Sequence, residues 1–252
     1  TKTIWRWFLH LHFGVATFIG IYGVFQLMGF MKINQGGVRV DGPLGNAIYL
    51  AIYMVFTIFL ALFFMLQRKE KVLFPVVPFL IGLDLSFLYI ITSKNNGIAK
   101  GGVGWFAFVV LAITGLFIWM HYQKKIKDVL TGRIAYALIT GLSLYILYFT
   151  ATRGSILGLI GGVFLMAILM SIFSKGTRRK VWIGIVIAVI ALGGIFMGVK
   201  NTTFIQNSPV LSRFANISLT KGTSQARFQI WKLTLNGVKE KPILGWGQEN
   251  FN

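Results

Sequence analysis

Residues 134–173 read IAYALITGLSLYILYF-TATRGS-ILGLIGGVFLMAILMSIF, and their only charged residue is Arg153. A hydrocarbon core about 30 Å thick is crossed by roughly 20 apolar residues of helix. The run at 156–173 meets that requirement, and the run at 134–149 meets it by borrowing from its flanks. Neither alternates polar and apolar residues with the period of two that a barrel strand needs. Inside lipid a segment must satisfy its own backbone hydrogen bonds, so these runs are helices. The polar step 150–155 between them then lies at one membrane boundary.

Working outward, the same kind of run recurs at 7–31, 46–66, 72–92, 103–122 and 181–199. The expected fold is an all-α, polytopic transmembrane helix bundle of about seven spans, covering 1–199. A larger extracytoplasmic segment, 200–252, follows. The composition agrees: 56% of the 252 residues are hydrophobic and only 12% are charged, whereas soluble domains carry about a quarter charged residues. No solenoid period and no inverted repeat is visible. The chain opens at Thr1 without an initiator Met or a signal-peptide layout and closes at Asn252 in a polar segment, which reads as a fragment cut at both ends.

A formal net charge of +19 invites a nucleic-acid partner, but the basic residues fall in short clusters between apolar runs instead of on one face of a domain. They report topology. One set of loops holds Lys2, Arg6, Arg68, Lys69, Lys71, Lys124, Lys125, Lys127, Arg133, Lys175, Arg178, Arg179 and Lys180; the opposite short loops hold Lys32, Arg39, Lys94, Lys100 and Arg153. The richer set belongs in the cytoplasm. The N-terminal end is then cytoplasmic and the segment after Val199 extracytoplasmic. Within that segment Ser224 can cap a helix with Phe228, Trp231, Leu235 and Val238 on one stripe. Pro242 ends it, and Gly245 and Gly247 make a turn. Such a stripe suits the membrane–water boundary or the surface of the bundle.

The outer face carries Arg39, Arg153, Arg213 and Arg227 against only three acids, Asp41, Glu240 and Glu249. No carboxylate cluster for a metal is visible there, and with no cysteine there is no thiolate site or thiol nucleophile. A guanidinium is permanently charged and grips phosphate with two parallel N–H groups, so this inventory suits a phosphate or pyrophosphate. Arg153 at a helix boundary faces protein, water or an anion, or else snorkels to headgroups. Asp84, in the middle of the third span, is a candidate functional carboxylate or a hydrogen-bonded packing residue. His10, His12 and His121 fall on the cytoplasmic side and read as structural. Gly154, Gly158, Gly161 and Gly162 have the small-residue spacing of close helix packing.

Three segments taken together resemble the O-antigen ligase and polysaccharide polymerase family of bacterial membranes. They are Arg39-Val40-Asp41-Gly42-Pro43-Leu44-Gly45-Asn46, then Thr152-Arg153-Gly154-Ser155, then Arg227-Phe228-Gln229-Ile230-Trp231 with Pro242-Ile243-Leu244-Gly245-Trp246-Gly247 and Asn250-Phe251. The resemblance implies a membrane glycosyltransferase of the inner membrane. Such an enzyme moves a glycan from an undecaprenyl pyrophosphate carrier to a hydroxyl of an acceptor glycan or lipid A core, with no metal and no cofactor. By that likeness Arg39, Arg153 and Arg227, with Arg213, hold the pyrophosphate. Gly42, Gly45 and Asn46 shape the turn into the second span, and Trp231 stacks on Arg227 or a sugar ring or anchors at the interface. Gly245 and Gly247 support the outer segment. Thr152 departs from the serine often found in the family. The family's catalytic histidine would lie beyond Asn252, so this stretch alone is expected to be inactive. The competing readings are an anion transporter, with Arg39 and Arg153 lining a vestibule, and a non-catalytic membrane scaffold.

Overall fold

The computed structural model describes residues 2–35, 39–66, 73–92, 111–116, 119–120, 123, 128–216, 223–243 and 245–247. These are helical or turn, with no strand among them. Helices α1 (Lys2–Leu27), α2 (Ala47–Leu66), α3 (Leu73–Thr92), α4 (Asp128–Phe149), α5 (Arg153–Phe173) and α6 (Thr177–Val199) belong to one compact unit, 1–199. Helices α7 (Thr203–Asn207), α8 (Leu211–Ala215) and α9 (Thr223–Glu240) belong to a second, 200–252.

Among the described residues, five helices are long and apolar enough to cross a membrane: Ile4–Leu27, Ala47–Leu66, Thr131–Phe149, Arg153–Phe173 and Thr177–Val199. The run at 72–92 forms α3, of which Val76–Ser86 is the described apolar stretch. The run at 103–122 falls largely outside the described residues. The short run at 134–149 extends toward its N-terminus as helix to Asp128. The first run stops earlier than its hydropathy suggests, at Leu27. Gly29 takes a left-handed φ of 79° there. Its N–H donates to Gln26 O at 3.1 Å and the Phe30 N–H to Phe25 O at 2.9 Å, the paired bonds of a Schellman stop.

Helix α1 is the centre of the first unit. Gly14 and Gly82 let α1 and α3 cross backbone to backbone: a Cβ on Gly14 would lie 2.8 Å from Pro78 O, and one on Gly82 would run into Gly14 O. Phe18 then meets Tyr89 edge-on at 5.9 Å. On the α4 side Gly20 seats Leu142, and Gly23 seats Ile146 and Val40. Both pairings advance together along the chain, so α1, α3 and α4 run parallel.

Between lipid-facing helices there is no hydrophobic drive to associate, so close backbone approach and hydrogen bonds carry the packing. Three buried apolar clusters fill the interior among the described residues. The first is Ile19, Val40, Leu50, Ala51, Met54, Ile58, Ile146, Leu147 and Leu159; the second is Phe13, Ala61, Phe64, Tyr136 and Ile139; the third is Val76, Leu80 and Ala135. His10 is fully buried beside the second. Its Nδ1 lies 2.7 Å from Arg6 O, which can only accept, so Nδ1 carries a proton. In the neutral ring Nε2 then accepts from Tyr136 OH at 2.6 Å. Thr57 gives its hydroxyl proton to Tyr53 O at 2.9 Å, so His12 Nε2–H donates to Thr57 Oγ1, also at 2.9 Å. Both imidazoles tie α1 to its neighbours. His121 lies outside the described residues. Asp84 accepts from Thr114 Oγ1 at 3.3 Å through Oδ2, and its buried Oδ1 has no partner among the described residues.

The glycines of α5 require a correction. A Cβ at Gly154, Gly158 or Gly161 would meet nothing within 4 Å, and only Gly162 packs closely, against Phe59. The close-packing glycines are Gly14, Gly20, Gly23 and Gly82. Spacing alone could not tell an inward stripe from an outward one, because α5 is apolar on every side. Helix α6 packs on α5 and has no buried residue.

The second unit is small. Ile205 and Val210 are its buried apolar residues among those described. Helix α9 begins at Thr223, so Ser224 lies inside its first turn and not at its cap. It ends at Glu240, two residues before Pro242. Phe228, Trp231, Leu235 and Val238 are all exposed within this unit.

Candidate functional site: a guanidinium at the uncapped start of α5

The end of the bundle where α1 stops is also where α2 begins, α4 ends and α5 begins. The loop 28–46 is organised there by a buried carboxylate. Asp41 is fully buried. Its Oδ1 accepts from Gln26 Nε2 at 2.7 Å, and its Oδ2 accepts from the backbone N–H groups of Asn34 at 2.9 Å and Gln35 at 3.2 Å. Gln26 in turn donates to Lys32 O at 2.8 Å and accepts from the Gly42 N–H at 2.8 Å. Gly42 and Gly45 hold left-handed φ values of 59° and 66° on either side of a single 3₁₀ turn, Gly42–Leu44. Asn46 then caps α2 by accepting from the Ile48 N–H at 2.8 Å. Gln35 Oε1 accepts from Ala47 N at 3.3 Å.

This framework delivers Arg39 to the turn between α4 and α5. Its Nε donates to Thr150 O at 3.1 Å and one terminal nitrogen donates to Thr152 Oγ1 at 3.0 Å, while the Val40 N–H donates to Phe149 O at 3.2 Å. Ala151 sits at φ 49° between them, a conformation that costs about 1 kcal/mol or more for a residue with a Cβ. The Thr152 hydroxyl lies 3.3 Å from both Ala47 O and Thr150 O. One hydroxyl thus joins Arg39, α2 and the start of α5.

That use of Thr152 leaves α5 without a side-chain cap. Its first residue is Arg153, exposed and without a hydrogen bond to any described residue. A cation at a helix N-terminus has the wrong sign for the dipole, at a cost of about 0.3–1 kcal/mol. Uncapped N–H groups, the Arg153 guanidinium and the Arg39 guanidinium on Thr152 all belong to this one turn, and helix N-termini and guanidiniums are groups that attract anions. His10 and His12 are remote from it: Tyr136, which bonds His10, is 14 residues before Thr150 along α4, about 20 Å at helical rise.

Of the expected site residues, Arg39, Thr152 and Arg153 come together, with Gly42 and Asn46 shaping their support. Arg213 lies in the last turn of α8, and Arg227 is exposed on α9. Trp231 is 60% exposed and meets Phe228 edge-on at 5.5 Å. The Gly245-Trp246-Gly247 turn folds back on α9: both glycines have positive φ, Trp246 Nε1 donates to Gly237 O at 3.2 Å, and Lys241 Nζ lies 4.0 Å above the Trp246 ring. Gln26, Gln35 and the full burial of Asp41 were not anticipated. A glutamine near the end of an otherwise apolar span was the available signal.

The Thr152 geometry makes a substitution test. Thr152→Ser keeps the hydroxyl and should leave stability within about 0.5 kcal/mol. Thr152→Val removes it while preserving shape and should lose about 1 kcal/mol in reversible unfolding in detergent micelles. Equal effects would show that the hydroxyl does not hold the turn.

Residues 138–252 match the family model described as O-antigen ligase, a stretch that begins inside α4 and takes in Thr152, Arg153, Arg213 and Arg227. No curated protein and no solved structure matches the chain. Over that stretch, a little under half of the chain, the protein is similar to the O-antigen ligase family.

Proposed function

We propose, taking the O-antigen ligase family as the premise, that this protein transfers a glycan from an undecaprenyl pyrophosphate carrier to an acceptor hydroxyl at the outer face of the inner membrane. The observation that carries the reading is Arg39, pinned on Thr150 and Thr152 beside Arg153 at the uncapped start of α5. In the transfer the bond from the anomeric carbon to the pyrophosphate oxygen breaks, and the electron pair leaves with the phosphate. The acceptor oxygen forms the new bond and gives its proton to a base, a role that family likeness assigns to a histidine. Negative charge grows on the leaving group, and preorganised donors in a partly dry site stabilise it more than water does. Guanidinium groups fill the role that a carboxylate-bound metal fills elsewhere.

In this reading Arg153 and Arg39 clamp the pyrophosphate; family likeness also assigns Arg227 and Arg213 to it, and Trp231 to a sugar face. The acceptor is a glycan or lipid A core. The basic-residue count puts Lys2 and Arg6 in the cytoplasm, and with them the Arg39 end outside.

Arg153 is the residue to test, because it is exposed and its removal leaves the bundle intact. Arg153→Ala should reduce transfer about 100- to 1,000-fold, as expected for losing one preorganised donor to a transition state. Arg153→Lys should recover little, because lysine cannot make the paired contact. Membrane insertion, followed by protease accessibility, should be unchanged. Wild-type transfer by Arg153→Ala would remove the clamp and favour the transporter or scaffold reading.

A further inference from the structure

We propose that the cleft between α2, α4, α5 and α6, at the end of the bundle away from Arg39, is a binding site for an anionic phospholipid. The cleft has a volume of about 600 Å³ and is lined by Met65, Leu66, Arg133, Met170, Ser174, Arg178, Val181 and Trp182. Its position follows from the helix ends. Leu66 is the last residue of α2, whose first residue contacts Thr152; Ser174 closes α5, whose first residue is Arg153. About 30 Å of helix separates the two ends, so this cleft is distinct from the candidate site above.

Its chemistry has two parts. Arg133 on α4 and Arg178 on α6 face one cleft with no acidic residue among its described lining, and neither forms a hydrogen bond or ion pair with a described residue. Two guanidiniums sharing a space repel each other until an anion sits between them, and each offers a phosphate a two-pronged contact. Ser174 spends its backbone N–H on Met170 O at 2.9 Å and keeps its hydroxyl for a further bond. The remaining lining is apolar, with two methionines and a tryptophan that adapt to an acyl chain. A free phosphate would use the arginines and leave that apolar wall idle. A phospholipid uses both, its phosphate level with the helix ends and its chains beside Met65, Met170 and Trp182. Basic pockets between membrane helices recognise anionic headgroups in this way.

The site also has a structural consequence. Helix α6 packs on α5 and has no buried residue. A phosphate bridging Arg178 to Arg133 ties α6 to α4, so the lipid acts as a pin for the least anchored helix of the bundle.

The test is native mass spectrometry of the full chain, stripped of lipid in an uncharged detergent and titrated with phosphatidylglycerol, phosphatidylcholine or inorganic phosphate. Phosphatidylglycerol should bind about tenfold or more tighter than phosphatidylcholine, since each basic residue beside an anionic lipid is worth roughly a factor of five. The double variant Arg133→Gln with Arg178→Gln should erase that preference. The charge-matched control Lys175→Gln with Arg179→Gln, at the same end but not lining the cleft, should keep it. Helicity by circular dichroism and a single elution peak establish that each variant folds. If the double variant does not fold, Arg178→Gln alone, an exposed position, should lower phosphatidylglycerol affinity about fivefold. Equal binding of the two lipids, equal loss in the control, or displacement of the lipid by inorganic phosphate alone would each overturn the assignment.

Discussion

Gly82→Leu should abolish the pairing of α1 with α3, and even Gly82→Ala should lower stability by about 3 kcal/mol. A Cβ at Gly82 runs into the carbonyl oxygen of Gly14 and lies 2.8 Å from Thr17 Cβ. The obstacle is backbone, which cannot rotate away as a flexible side chain would. The helices must separate, and with them go the Phe18–Tyr89 contact and the tight seating of Pro78 on Gly14. The contrasting substitution is Gly158→Ala, where nothing lies within 4 Å. It should be neutral or should stabilise α5 by up to about 1 kcal/mol through helix propensity alone. Reversible unfolding in mixed micelles, followed by helical circular dichroism, measures both. Equal behaviour of the two variants would mean that α1 and α3 do not cross at these glycines.

Asp41→Ala should have an effect of similar size, about 3–5 kcal/mol, because one buried and two part-buried donors lose a charged acceptor at once. The donors are Gln26 Nε2 and the backbone N–H groups of Asn34 and Gln35. Asp41→Asn should be almost as harmful. Its amide nitrogen must face either the glutamine donor or the two backbone donors, and no flip satisfies all three. The same variants should lose transfer in the full-length protein, because the loop that Asp41 organises is what brings Arg39 to Thr150 and Thr152. Unfolding in micelles and transfer in membranes, measured on one preparation, separate the two consequences. Near wild-type stability of Asp41→Asn would show that this carboxylate is not the organiser of the loop.

Much of the architecture was legible from residue order. Uncharged apolar runs of membrane length permit little except helix, and the polar step at 150–155 had to mark a boundary between two of them. The site was legible only in its cations. Arg39 and Arg153 stand out because charge is scarce near lipid, whereas nothing local in Asp41 distinguishes a buried organiser from a loop acid at the surface. The α5 glycines mislead for a related reason. On a helix that is apolar all round, side-chain periodicity carries no sign of which face meets protein.

What the sequence by itself determined was the helical class, the helical runs and the basic asymmetry of the loops, since these depend on transfer of short segments into lipid and on local charge. Only the tertiary structure decided which glycines touch, that three helices run parallel, and that residues 111 positions apart, Arg39 and Thr150, share a hydrogen bond. Those outcomes depend on backbone contacts between segments distant in the chain. No local propensity encodes them, and they are settled only when the whole bundle closes.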